Sequence, residues 1–300
     1  MKYAIGLDLG GTNVKGLAVT LRGKVLAELS FATGDSGDKT WIRNVDRART
    51  GLQKKTGGLP EFIGLAAPGL PSRDHRAIAF MPERLPGLEN LVWEKHFAVS
   101  HPVPVLNDAQ AALMGEVWRG AAHGALNVIL LTLGTGVGGA AMIDGRLLHG
   151  HLGRAGHFGH LSLDPDGPAD ITGTPGSLED AIGDSTVQKR SGGRFSSTRA
   201  LANAAQAGDI EAKRIWQDSI RSLAAAIASL INILDPEIVI LGGGIVRAGA
   251  TLFRPLKRFL NEFEWRPGGS QARIVAAQLG DRAGAFGAAW NAIQHGYKIK

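Results

Sequence analysis

The sequence predicts an α/β protein made of two duplicated halves, and three observations carry that reading. Residues 3–31 alternate as short strands around a glycine turn, the same order restarts at Asn127, and an apolar strand ending at Asn107-Asp108 runs straight into a helical stretch.

In the first half, Tyr3, Ile5, Leu7 and Leu9 share one face of a strand, and Ala4, Gly6 and Asp8 share the other. Asp8 therefore emerges beside Gly10-Gly11. Strands over Val14–Val19 and Lys24–Phe31 follow, joined by the turn Leu21-Arg22-Gly23. Trp41, Val45, Ala48 and Leu52 fall on one stripe of a helix, and Glu61–Ala66 reads as the next buried strand. A proline-rich region from Pro68 to Pro104 supplies loops placed to touch a substrate, including Ala66-Ala67-Pro68-Gly69 and Arg84-Leu85-Pro86-Gly87. Strand Pro104-Val105-Leu106 then gives way to a helix through Ala112, Met114 and Glu116.

In the second half, strand Asn127–Leu133 meets the turn Gly134-Thr135-Gly136-Val137-Gly138-Gly139, a strand runs to Ile143, and Asp144-Gly145 closes a hairpin. Helices are expected over Thr198–Ala207 and Ile210–Leu234. Strand Glu237–Leu241 ends on Gly242-Gly243-Gly244, and a last helix spans Ala283–Ile293 with a small-residue face suited to close packing at a hinge. This internal repeat predicts a cleft between a small domain (1–107 with about 284–300) and a larger one (108–283).

Composition narrows the function. A chain of 300 residues with 44% hydrophobic content buries a full core, and its most apolar window, Leu223–Leu234, is too short to cross a bilayer. The opening Met1-Lys2-Tyr3-Ala4-Ile5 lacks an apolar signal core, so a cytoplasmic location is expected, without membrane partners. Zero cysteines exclude disulfides, thiolate nucleophiles and cysteine-ligated zinc. The net charge of +6 is spread and mixed with acids, which argues against nucleic acid and fits a surface that favours anionic nucleotides.

Phosphoryl transfer needs backbone N–H groups and a cation around the phosphates, and a carboxylate to take the acceptor's proton. Asp8, the two glycine turns and a carboxylate at a strand's carboxyl end, Asp108, can supply these roles. Taken singly, each glycine run also suits an ordinary hairpin turn.

Together, Asp8-Leu9-Gly10-Gly11-Thr12, Asn107-Asp108-Ala109, Leu133 to Gly139, Ala155-Gly156-His157-Phe158-Gly159-His160 and Ile240-Leu241-Gly242-Gly243-Gly244 resemble the ROK (repressor, open reading frame, kinase) sugar kinases, in the family's order and over about residues 5–290. The resemblance implies an actin-like, hexokinase-type (ribonuclease H-like) fold whose two domains close over ATP and a sugar. It implies Asp108 as the base for the sugar hydroxyl and Asn107 as a sugar hydrogen-bonder. Asp8 would help place magnesium (Mg2+) through water. Gly10, Gly11, Thr12, Gly134, Thr135 and Gly136 would line the phosphates, and Gly242, Gly243 and Gly244 would approach the adenosine. For that last run, a plain strand-to-helix turn is the alternative.

Gly69 matches a substrate loop, and Glu179 matches a further sugar contact, or else is simply a first-turn helix glutamate. His157 stands where the family has a glutamate, and a neutral imidazole cannot reproduce a two-oxygen grip on sugar hydroxyls. His160 matches a zinc-binding histidine, but the three cysteine positions read Asp170, Thr172 and Ser177, so no structural zinc is expected. A cysteine-free metal site from His149, His151, His157 and His160 with Asp170 is the alternative to His157 and His160 hydrogen-bonding the substrate or bracing its loop.

The resulting expectation is a kinase that phosphorylates the primary hydroxyl of a hexose, glucose first by family frequency, with amino sugars and cyclitols open. The rivals are a sugar-binding pseudokinase, an actin-like ATPase and a sugar-responsive repressor. The last is disfavoured because the phosphate strand begins at residue 3, leaving no room for a DNA-binding helix-turn-helix. A homodimer is left open.

Overall fold

A computed structural model describes residues 1–34, 39–81 and 84–298. Pro82 and Glu83 of the proline-rich region, and Ile299 and Lys300 of the expected small-domain tail, lie outside the described residues. The chain divides into two compact units, Met1–Gly124 with Leu147–Ala155 and Gln278–Lys300, and Ala125–Arg146 with Gly156–Ala277.

In the first unit, strands β1 (Tyr3–Leu9), β2 (Asn13–Thr20) and β3 (Val25–Ala32) form an antiparallel meander. Helix α1 (Thr40–Thr56) and strand β4 (Phe62–Ala67) follow. The proline-rich region, read from the sequence for the loops it contains, also holds a small hairpin of β5 (Leu70–Pro71) and β6 (Ile78–Phe80) and the single helical turn α2 (Trp93–His96). These pieces are too short for periodicity to register. Strand β7 (Val105–Asn107) then feeds α3 (Asp108–Arg119), and the sheet order is β3-β2-β1-β4-β7, with β4 and β7 parallel to β1.

The second unit repeats that order. Strands β8 (Val128–Leu133) and β9 (Val137–Ile143) pair antiparallel beside β10 (Arg146–Leu147). Short helices α4 (Leu178–Ile182) and α5 (Val187–Arg190) precede α6 (Thr198–Gln206) and α7 (Ile210–Leu234). Strand β11 (Ile238–Gly242), helix α8 (Ala250–Phe263) and strand β12 (Arg273–Ala276) complete a sheet ordered β10-β9-β8-β11-β12, with β11 and β12 parallel to β8. Two sheets with a hairpin at one edge and parallel crossovers at the other are the duplication read from the sequence. The apolar stripe Leu223, Ala224, Ile227 and Leu230 of α7 is buried, as a core helix requires. Among the described residues, no helix is long and apolar enough to cross a membrane.

The chain returns to the first unit as α9 (Ala283–Lys298), which outruns its expected end at Ile293. The two faces of β1 go to different places. Ile5, Leu7 and Leu9 pack with Trp41, Val45 and Leu52 of α1, and Ala4 packs with Ala285, Phe286 and Ala289 of α9. A Cβ on Gly6 would lie 1.8 Å from the Ala285 carbonyl oxygen, and one on Gly64 would lie 2.0 Å from that of Ala288, so only glycine admits this helix. Gly287 likewise meets the backbone of α3 at Ala111. The bond between Asn107 and Asp108, where the sequence placed a domain boundary, is thus internal to the first unit, because α3 packs on α9 there.

Candidate active site

The acidic end of the first unit is built from strand termini. Asp8 ends the β1 face that looks toward α9, pairs in register with Lys15 of β2 and comes so near α9 that a Cβ on Gly284 would lie 2.5 Å from its Oδ2. Burial pushes its carboxyl up to about 7, with the negative charge of Asp108 adding to the rise and Lys15 opposing it. The turn after β1 is closed by Gly10 N–H donating to the Asn13 carbonyl at 3.0 Å and by the Thr33 hydroxyl donating to the Gly10 carbonyl at 2.6 Å. Gly11 and Thr12 are exposed beyond it, and the Arg84 guanidinium lies against Gly11.

At the end of β7, Asn107 is 6% exposed and caps α3. Its Oδ1 accepts from Ala109 N–H at 2.9 Å, its Nδ2 donates to the Gly69 carbonyl at 3.0 Å, and Gln110 Oε1 accepts from its own N–H at 3.2 Å. Gly69 holds φ at 101°, with the β5–β6 hairpin too close for a side chain. Asp108, the first residue of α3, is exposed, and its Oδ1 accepts from Ala109 N–H at 2.8 Å. The first unit therefore brings together Asp8, Asp108, Asn107 and the 10–12 turn.

In the second unit the glycine turn is shorter than its sequence run. Gly134 N–H donates to the Gly136 carbonyl at 3.0 Å, and Gly138 and Gly139 already lie in β9, paired with Thr132 and Leu131. Here strand pairing overrides the flexibility that a glycine cluster suggests. The turn is clamped from behind by Asp184 and Ser185 N–H groups donating to the Gly134 and Thr135 carbonyls, each at 2.9 Å. Glu179, in the first turn of α4, accepts from Val137 N–H at 2.9 Å through Oε2, so this oxygen supports the turn. Gly243, at φ 88°, sits over the Leu133 carbonyl, where a Cβ would lie 2.3 Å away.

Gly134, Thr135 and Gly244 open into a cavity of about 740 Å³ closed by α6 and the turn after β11. Its further polar lining comes from Asp184, Ser197, Thr198, Arg199, Asn203 and Arg247. Motif reading missed these residues. Ser197 caps the expected helix, its Oγ accepting from Ala200 N–H at 3.1 Å, but nothing in sequence spacing ties α6 to the Gly134 turn.

The histidine-rich segment is divided between the units. His149, in the first, lies against His75 with ring centroids 4.1 Å apart, and His295 stands 6.3 Å from His75. Burial, then the two neighbouring imidazoles, lower the His149 pKa to about 4. In the second unit, half-buried His157 precedes the short helical turn Phe158–His160. His160 Nδ1 lies 2.8 Å from Asp170 Oδ2. The Thr172 hydroxyl is engaged by that same carboxylate, and Ser177 Oγ caps α4 by accepting from Asp180 N–H. Such a donor set does not suit zinc, and among the described residues no group of three or more His, Asp or Glu side chains is arranged to hold a metal ion.

Comparison with known proteins bears on the family and the fold. The family model described as "ROK family" matches residues 4–295. The glucokinase of Thermotoga maritima is 34% identical over 306 residues, covering 95% of each chain. The crystal structure of a ROK hexokinase from Thermus thermophilus superposes with a TM-score of 0.85 at 30% identity, over 99% of both chains. A ROK family glucokinase from Streptomyces griseus, solved in complex with glucose and AMPPNP, gives 0.78 at 30% identity over 97% of this chain and 99% of that one. The fold is accordingly the actin-like one that the family resemblance implied, and the chain belongs to the ROK family.

Proposed function

We propose that this chain is an ATP-dependent sugar kinase that transfers the terminal phosphoryl group of ATP to a hexose, with glucose as first acceptor and a primary hydroxyl as the reacting group. The observation that carries the reading is the exposed carboxylate of Asp108 at the strand-to-helix junction of the unit that also holds Asp8 and the 10–12 turn. As the hydroxyl oxygen attacks the terminal phosphorus, the bond to ADP breaks and the hydroxyl proton passes to Asp108. A base so placed contributes roughly 10² to 10⁴ in rate.

ATP is a substrate, and the second unit offers its cavity for the nucleoside and the turn Gly134-Thr135-Gly136 for the phosphates. Asp8 fits a magnesium ion. It is a hard oxygen donor whose ionised form the protein disfavours by burial and by Asp108, so an added cation relieves that cost. When bound, magnesium would neutralise phosphate charge, and Asp8 would hold it through water. On the acceptor side, Asn107 holds Gly69 and the cap, which fixes the position of Asp108, while His157 and His160 face the sugar in this reading.

The test is an ADP-release assay over glucose, other hexoses, an amino sugar and a cyclitol, each against a no-sugar blank. Sugar-dependent release supports the proposal. Sugar-dependent thermal shifts without ADP identify a sensor, and release without sugar identifies an ATPase.

A further inference from the structure

Asp170 occupies a place that the transfer chemistry alone does not explain. Its side chain is fully buried, and the loop around it closes on itself. Its N–H donates to the Thr174 carbonyl at 2.9 Å, and Gly173, at φ 87°, returns an N–H to its carbonyl at 3.0 Å. Oδ1 accepts from Thr172 N–H at 2.8 Å, the Thr172 hydroxyl at 2.8 Å and Thr174 N–H at 3.0 Å. Oδ2 is left for His160 Nδ1 at 2.8 Å. Burial opposes ionisation, but the hydrogen bonds from His160, Thr172 and the backbone outweigh it and hold the carboxyl well below the usual range.

An ionised carboxylate only accepts, so the Nδ1 atom facing it must carry the proton. In the neutral ring, Nε2 is then a lone pair. The ring keeps 28% of its side-chain surface open, and among the described residues no hydrogen bond engages Nε2. The histidine also has a fixed seat. Phe158 and Gly159 before it are buried, and Gly159 lies against the Val137 carbonyl at the start of β9, directly after the phosphate turn.

We propose that Asp170 is a positioning residue that fixes His160 in its Nδ1-protonated tautomer, so that Nε2 is presented as a hydrogen-bond acceptor to a hydroxyl of the sugar. The carboxylate does by hydrogen bonding what a metal ion does when it binds a histidine at one nitrogen, which is to set the chemistry of the other. The sugar contact rests on the kinase reading. The tautomer does not.

The substitution Asp170→Asn separates the two. The amide oxygen can keep the Thr172 and Thr174 donors, and the amide nitrogen then donates to His160 Nδ1. That forces the proton to Nε2 and turns the presented atom from acceptor into donor. Long-range 1H–15N spectra of histidine-labelled protein, with the His160 signal assigned by its loss in His160→Gln, are expected to show Nδ1–H in the parent and Nε2–H in Asp170→Asn. Where ADP release is sugar-dependent, Asp170→Asn is expected to raise the sugar KM tenfold or more while leaving the ATP KM within twofold. Thr172→Val removes one hydroxyl from the same carboxylate, and is expected to lower the Tm but leave tautomer and sugar KM unchanged.

An Nε2–H tautomer in the parent overturns the proposal, and that spectrum decides the matter even if Asp170→Asn fails to fold. A flipped tautomer with an unchanged sugar KM overturns the contact to sugar. Absence of sugar-dependent ADP release in the parent, with the expected tautomer present, refutes the kinase reading and leaves the Asp170–His160 assignment standing.

Discussion

The side-chain amide of Asn107 donates to the Gly69 carbonyl at 3.0 Å while its oxygen caps α3, so one residue ties the positive-φ loop to the helix that begins with Asp108. Asn107→Asp keeps the cap but sets a carboxylate oxygen against a carbonyl oxygen. The expected cost is about 1–3 kcal/mol of stability, read by denaturant unfolding, together with a raised sugar KM as the loop moves. An unchanged midpoint would show that the Gly69 contact carries no weight.

Asp108→Asn preserves size and the Ala109 N–H contact but cannot take a proton. We expect kcat to fall by roughly 10² to 10⁴ with sugar binding by calorimetry retained. Removing this charge also removes the second cause of the Asp8 shift, so the Asp8 carboxyl titrates lower in the variant. Turnover at the parent rate would take the residue out of its role.

Asp8 gives a pH dependence of known sign. Its carboxyl is near 7 when folded and ordinary when unfolded, so its stability contribution is fully present below about 3.8 and is lost as pH rises through 7. Asp8→Asn is therefore expected to be more stable than the parent at pH 8, with the gap closing toward pH 4, yet defective in magnesium-dependent turnover. Each pKa unit is worth about 1.4 kcal/mol. A stability difference independent of pH would contradict the shift.

His149 acts in the opposite direction. With its pKa lowered to about 4, the folded state holds the neutral ring, and stability present above 6.5 is lost as pH falls through 4. His75 is lowered as well, by burial and by His295, with Asp74 opposing. Scanning Tm from pH 7 to 4 should show a decline that His149→Leu makes shallower. Parallel curves would dismiss the cluster as its source.

Much of this molecule was legible in order along the chain. The alternation of Ile5, Leu7 and Leu9 against Ala4, Gly6 and Asp8 assigned both faces of β1 correctly, because period two has a single solution when both faces are covered. The Asn107-Asp108 junction was legible from an apolar strand running straight into a helical stretch, and the structure adds that Asn107 caps that helix. What escaped was contact set by tertiary placement. Arg84 against Gly11, Asp184 behind Gly134 and the α6 residues lining the cavity belong to segments whose spacing encodes no common target. Glu179 was read either as a sugar contact by motif position or as a first-turn helix glutamate; it does lie in the first turn of α4, and the bond from Val137 N–H to its Oε2 could be read only by knowing where α4 packs.

The glycines at positions 6, 64 and 287 have a consequence for how the protein is made. Because α9 lies directly on the backbone of β1, β4 and α3, the first unit has an unfinished wall while the ribosome translates the whole second unit. Its early strands must wait, with Ala4 and Phe62 uncovered, until residues 283–298 emerge. The acidic end that carries Asp8 therefore becomes complete only once this helix is in place.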